Sequence, residues 1–152
     1  MSSFRLMAPL LLTCSILLVA CGDDGGTDPV IEQVAEAELP GNYTATTFTL
    51  DIGAGPIDLI GTGASLQVGL ASGGAASGQV FVPGLGEGGD DFDESLEGTW
   101  SYVQPTLSLD HAADTFMRDL PLTASKVNGV IQLEGEKNFG DETIHVVLVK
   151  GP

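Results

Sequence analysis

From Leu39 to Lys150 the chain alternates apolar and polar residues with a period of two, in short runs broken by Gly, Pro, Asn and Asp. That period suits a pleated strand with one face buried and is incompatible with a surface helix. The first run, Tyr43–Ile52, is rich in Thr and aromatics and alternates at Thr46, Phe48, Leu50 and Ile52. Leu66, Val68 and Leu70 repeat the pattern, Ser72–Gly78 reads as a loop, and Gln79–Val82 returns as the next strand before Pro83-Gly84. An acidic loop precedes a strand over Leu96–Val103, around Trp100 and Tyr102, which Pro105 breaks. Leu107 and Leu109 alternate next, then Leu120, Leu122 and Ala124, with Pro121 marking an edge or a strand start. Asn128-Gly129 is a type I′ hairpin signal leading into Val130–Glu134, and Gly140-Asp141 ends that arm. The last run, Thr143–Lys150, sets Ile144, Val146 and Leu148 on one face.

About eight strands result, and only His111–Arg118 has any helical spacing. Strands without intervening helices predict an all-β antiparallel meander. Closing such a meander into a small barrel removes its exposed edges, with a flattened sandwich as the alternative. Residues 39–152, about 110 in number, suit a single domain.

The formal charge of −16 excludes some partners. Beyond residue 20 the basic residues are Arg118, Lys126, Lys137 and Lys150, scattered along the chain. Such a surface repels phosphate backbones, so no nucleic-acid partner is expected. It also repels anionic head groups.

The N-terminus has a different composition. Arg5 precedes an apolar run from Leu6 to Ala20, and Gly22-Asp-Asp-Gly-Gly26 follows Cys21 directly. The run is short of the roughly 20 residues that span a bilayer and reads as a signal segment. Its last four residues, Leu18-Val19-Ala20-Cys21, resemble the lipobox of bacterial lipoproteins. That resemblance implies a signal peptide over 1–20, cleavage before Cys21, and acyl chains on Cys21 that hold the protein to a membrane. Two or more chains anchor stably where one does not. Gly22, in place of the retention aspartate of some bacteria, implies the outer membrane, with the face left open. Cys14 leaves with the signal and Cys21 is capped, so no internal disulfide is expected. Residues 21–38 read as an acidic tether. Within it Val30–Glu38 is either one or two helical turns, with Val30, Ile31, Val34 and Ala35 on one side, or a linker.

An internal echo links Leu39-Pro-Gly-Asn-Tyr-Thr44 with Leu96-Glu-Gly-Thr-Trp-Ser101, each opening a predicted strand as Leu-x-Gly-x-aromatic-hydroxyl. Gly98-Thr99-Trp100 resembles the Gly-x-Trp element of lipocalins and lipocalin-like lipoproteins, although here it lies mid-chain and not on the first strand. The resemblance implies a barrel binding a small apolar or amphipathic ligand, with Tyr43, Phe48, Phe81, Trp100 and Tyr102 as candidate lining residues. The alternative is a filled barrel serving as a structural or interaction module of the envelope.

Other motifs carry little chemistry. Gly84-Leu-Gly-Glu-Gly-Gly89 has the spacing of a dinucleotide loop, but Asp90-Asp91-Phe92-Asp93-Glu94 follows where a helix N-terminus should hold the phosphates. The acidic run Glu87–Glu97 lacks EF-hand spacing and reads as a solvated loop, with Phe92 folding back onto the core. His111 and His145 make a poor zinc set without cysteines. His145 is expected to point outward and His111 to cap or pair with Asp114. Arg118, flanked by Asp114 and Asp119, reads as a structural ion pair or an anchor for an anionic ligand. No nucleophile elbow is present, so no enzyme activity, cofactor or metal is expected. Asn42-Tyr-Thr44 is a glycosylation sequon by form alone.

Overall fold

The computed structural model describes residues 29–152 and places eleven strands in one antiparallel sheet, with no α-helix among those residues. Eight strands close a barrel in chain order: β2 (Gly41–Asp51), β4 (Ser65–Leu70), β5 (Ala75–Val82), β7 (Gly98–Val103), β8 (Thr106–His111), β9 (Leu122–Val127), β10 (Val130–Phe139) and β11 (Glu142–Lys150). The expected meander is therefore present, and the closed barrel prevails over the flattened sandwich. Three short strands lie outside the ring. β1 (Ile31–Gln33) pairs with β9, β3 (Pro56–Asp58) with β2, and β6 (Phe92–Ser95) with β5.

A long joint unites the first and last barrel strands, where β11 and β2 run together from Thr143↔Asp51 to Lys150↔Tyr43 around one bulge at Val147/Leu148. Two seams are thin: β5–β7, with Ala75↔Thr99 and Ala76↔Gly98, and β8–β9, with Thr106↔Thr123 and Leu107↔Leu122. Below the second, β1 takes over the same edge of β9, from Gln33↔Ser125 to Ile31↔Val127.

Alternation decides what fills the ring. Leu66, Val68 and Leu70 of β4, Leu107 and Leu109 of β8, and Leu133, Val146 and Leu148 of β10 and β11 are all buried inward. An eight-stranded ring is just wide enough for such side chains to fill, and most of this interior is solid.

The chain departs from expectation in three places. β5 begins at Ala75, inside the stretch read as a loop, because its small residues pair with the strongly patterned β4 (Leu70↔Ala76, Gly69↔Ser77). His111–Arg118 holds one 3-10 turn, Phe116–Arg118, and no longer helix. The packed chain starts at Ile31, earlier than Leu39. Residues 31–33 form β1 and residues 36–38 a 3-10 turn, and Val34 and Leu39 are fully buried.

This N-terminal segment closes one end of the barrel. The Tyr43 hydroxyl donates to Leu39 O at 2.6 Å and the Tyr102 hydroxyl to Val34 O at 2.8 Å. Lys126 Nζ donates to Glu38 Oε1 and Lys150 Nζ to Glu38 O, both at 2.6 Å. The Lys126 hydrogen bond, helped by the Ala35 N–H, holds the Glu38 carboxyl below its usual range.

Burial pushes the Tyr43 phenol up to about 12. Ionisation is thus harder in the folded chain than in the unfolded one, where a phenol titrates near 10. The stability linked to the neutral phenol is complete below about pH 10 and is lost as pH rises from about 10 towards 12. Tyr43→Phe is expected to cost about 1–2 kcal/mol at pH 7, since the Leu39 carbonyl loses its buried donor. Urea midpoints of the two proteins should converge above pH 10. A constant gap up to pH 12 would show that the phenol does not titrate with folding.

Candidate binding mouth

The end opposite the N-terminal segment is open and apolar. β2, β5, β10 and β9 meet it at Asp51, Val82, Phe139 and Leu122, and three loops surround it. A cavity of about 230 Å³ lies there.

Strand parity builds its walls. On β2, Phe48 and Leu50 face inward, and Leu50 stands between Ile144 of β11 and Ile57 of β3. Val82 of β5 pairs with Phe92 of β6 and turns it to the same inner face. Leu59 is brought over by its N–H, which donates to Phe48 O at 2.9 Å, and Leu85 comes from the glycine-rich loop. Phe48, Leu50, Leu59, Val82, Leu85, Phe92, Phe116 and Ile144 line the cavity, with Asp114 as its one charged wall.

Phe116 is held by a short relay. Thr115 caps the 3-10 turn by accepting the Met117 N–H at 3.2 Å, and its hydroxyl lies 3.2 Å from His111 Nε2. Met117 and Leu120 are fully buried and draw the turn inward. The Phe116 ring then rests 5.5 Å from that of Phe48 at 34°, a tilted pair. Arg118 reaches back four residues to Asp114, and Lys137 Nζ donates to Asp119 O at 2.8 Å. His111 is thus buried against Thr115 and does not pair with Asp114, and its Nδ1 has no hydrogen-bond partner.

Aspartates shape the mouth loops. Asp51 accepts the N–H groups of Gly53 and Gly55, Asp58 that of Ile60, and Asp91 that of Gly84. Asp51 with Gly53 and Asp58 with Ile60 are Asx turns, in which a carboxylate replaces a backbone acceptor, while Asp91 reaches seven residues back across the glycine-rich loop. The Gly84–Gly89 loop leads into β6, not into a helix. Among the described residues no three His, Cys, Asp or Glu side chains converge as a metal site would require. His145 sits on the outer face with Nε2 3.0 Å from Glu134 Oε1.

The residues expected to line a ligand site separate into three places. Phe48 lines the mouth. Tyr43, Trp100 and Tyr102 belong to the closed end, where their polar atoms bond backbone carbonyls; Trp100 Nε1 donates to Ala71 O at 2.9 Å. Phe81 lies between the buried Val80 and Val82 and opposite Asp93, so it faces outward and lines nothing. Cys21 lies outside the described residues. Leu50 and Ile144 were legible as inward by alternation, while Val82 sits in an apolar run without parity and Leu59, Leu85 and Phe116 reach the mouth from loops that carry no such signal. Comparison of the chain with family models, curated proteins and solved structures returns no match.

Proposed function

We propose that this is a lipid-anchored lipoprotein of the bacterial envelope, directed to the outer membrane by Gly22 after Cys21, whose barrel mouth takes the apolar part of a small amphipathic ligand. The observation that carries the binding half is the apolar cavity of about 230 Å³ in an otherwise filled barrel. It is smaller than the usual pocket for a drug-sized molecule, so it suits one ring system or a short tail. The anchor half rests on Leu18–Cys21.

Charge narrows the head group. Both cations near the mouth are engaged, Arg118 by Asp114 and Lys137 by Asp119 O, while Asp51, Asp58, Asp91 and Asp114 surround the opening. An anionic head finds no free partner there, which favours a neutral or cationic one.

The test uses the otherwise complete Cys21→Ser chain and two naphthylamine dyes. Neutral N-phenyl-1-naphthylamine should bind, and its sulfonated analogue should bind about ten times more weakly. Ile144→Glu places a carboxylate in the half-exposed wall and should weaken the neutral dye by at least about tenfold, with little change in thermal midpoint. If neither dye binds, the mouth is no small-molecule site. The exposed rim of Ile52, Ile57 and Leu85 then favours the reading as a protein-interaction module.

A further inference from the structure

Large exposed apolar side chains gather at the two ends of the barrel. Ile52, Ile57 and Leu85 rim the mouth, and Val30, Ile31, Val103 and Val130 lie at the closed end, exposed by 60, 70, 79 and 43%. Ile31, Val103 and Val130 of this group share one outer surface, while Val30 alternates to the Glu32 side. Ile31 pairs with Val127, and Val127 pairs with Val130, so three β-branched residues stand side by side across β1, β9 and β10. The Asn128 N–H donates to Val30 O, and Gln104 Nε2 donates to Gln33 Oε1 at 3.1 Å, which ties the turn beside Val103 to β1.

The residues interleaved with this patch are uncharged. Gln33↔Ser125 and Ser125↔Gln132 continue the same outer face, with Asn128 and Gln104 at the turns. Glu32 and Lys126 pair on the alternate side, where Lys126 turns to Glu38. A charge-free apolar face is out of keeping with a chain of formal charge −16.

The place where the chain enters identifies the occupant. Val30 is nine residues after Cys21, so the two Cα atoms lie within about 32 Å whatever path the chain takes. An acylated Cys21 would hold the patch at a bilayer surface at high effective concentration, where four weakly apolar contacts suffice for docking. The geometry points to the closed end as a lipid-docking face: Ile31, Val127, Val130 and Val103 rest in the head-group region and the mouth faces away from the membrane. This inference rests on the anchor reading.

The experiment uses the full acylated protein in phosphatidylethanolamine/phosphatidylglycerol vesicles. A bimane label is placed at Val103→Cys, at Val130→Cys or, at the opposite end, at Leu85→Cys, and lipid-borne nitroxide is the quencher. All three positions are exposed, so the labels leave the fold intact. Quenching at 103 and 130 should exceed that at 85 by at least about threefold. Equal quenching at the three positions, or stronger quenching at 85, overturns the docking face while the anchor stands. Unquenched but blue-shifted labels at 103 and 130 that depend on protein density assign the patch to a second copy of this chain and likewise overturn it. Mass spectrometry showing no acyl group on Cys21 overturns the anchor and this inference together.

Discussion

Gly98→Ala is expected to remove roughly 3–5 kcal/mol of stability, a large share of the 5–15 kcal/mol typical of a domain. Gly98 opens β7 opposite His111, and a Cβ there would stand 2.0 Å from Asp110 O and 2.9 Å from His111 Cα. Both atoms are backbone, so no side chain can yield and β7 must part from β8. That strain falls beside the seam where β8 holds β9 by two pairs. It also displaces His111, whose contact with Thr115 steadies the turn bearing Phe116. Stability and dye binding should therefore fall together. Gly73→Ala is the control, since nothing lies within 4 Å of its Cβ position, and it should stay within about 0.5 kcal/mol of the parent. Urea midpoints decide the matter, and equal midpoints for the two variants would mean that β7 and β8 do not approach this closely.

The same glycine explains the internal echo. In each copy the leucine (Leu39, Leu96) and the aromatic (Tyr43, Trp100) are buried; at Gly98 a Cβ would strike the backbone of β8, while Gly41 has a φ of +151° and only the Lys150 side chain close by. The repeat therefore marks one close strand approach, at Gly98, and one backbone turn that favours glycine, at Gly41. The aromatics serve the closed end through hydrogen bonds to Leu39 O and Ala71 O, and do not line the apolar mouth.

Barrel strands were legible because side-chain period and burial are local properties. Leu50 and Ile144 follow from alternation alone. Phe81 does not, because Val80-Phe81-Val82 is continuously apolar and carries no parity; the register against β4 and β6 decides which residues face inward. β1 was illegible for another reason. Its partner β9 lies nearly a hundred residues away, and Glu32 and Gln33 look solvated until Lys126 and Ser125 are set beside them. The mouth's loop residues are of the same kind. Phe116 is placed by burial of Met117 and Leu120 and by the Thr115 cap, none of which has a short-range signature.

Cys21→Ser is expected to move the protein from almost wholly membrane-bound to almost wholly soluble, or to leave its precursor uncut. Burial of acyl methylenes supplies about 0.8 kcal/mol each, so even one chain outweighs anything else the protein offers a bilayer. A formal charge of −16 opposes adsorption to anionic lipids. The patch around Ile31 and Val103 is too small to hold the barrel there without the local concentration that the anchor provides. Fractionation with mass spectrometry of the N-terminal peptide reads the result. A Ser variant that still pellets with membranes after losing residues 1–20 would overturn the lipid anchor. Neutral-dye binding by that same variant should match the acylated protein, because the mouth lies at the far end of the barrel from β1. Dye binding that appears only once the anchor is lost would instead mean that the acyl chain itself occupies the mouth, and that the two ends of the barrel do not work separately.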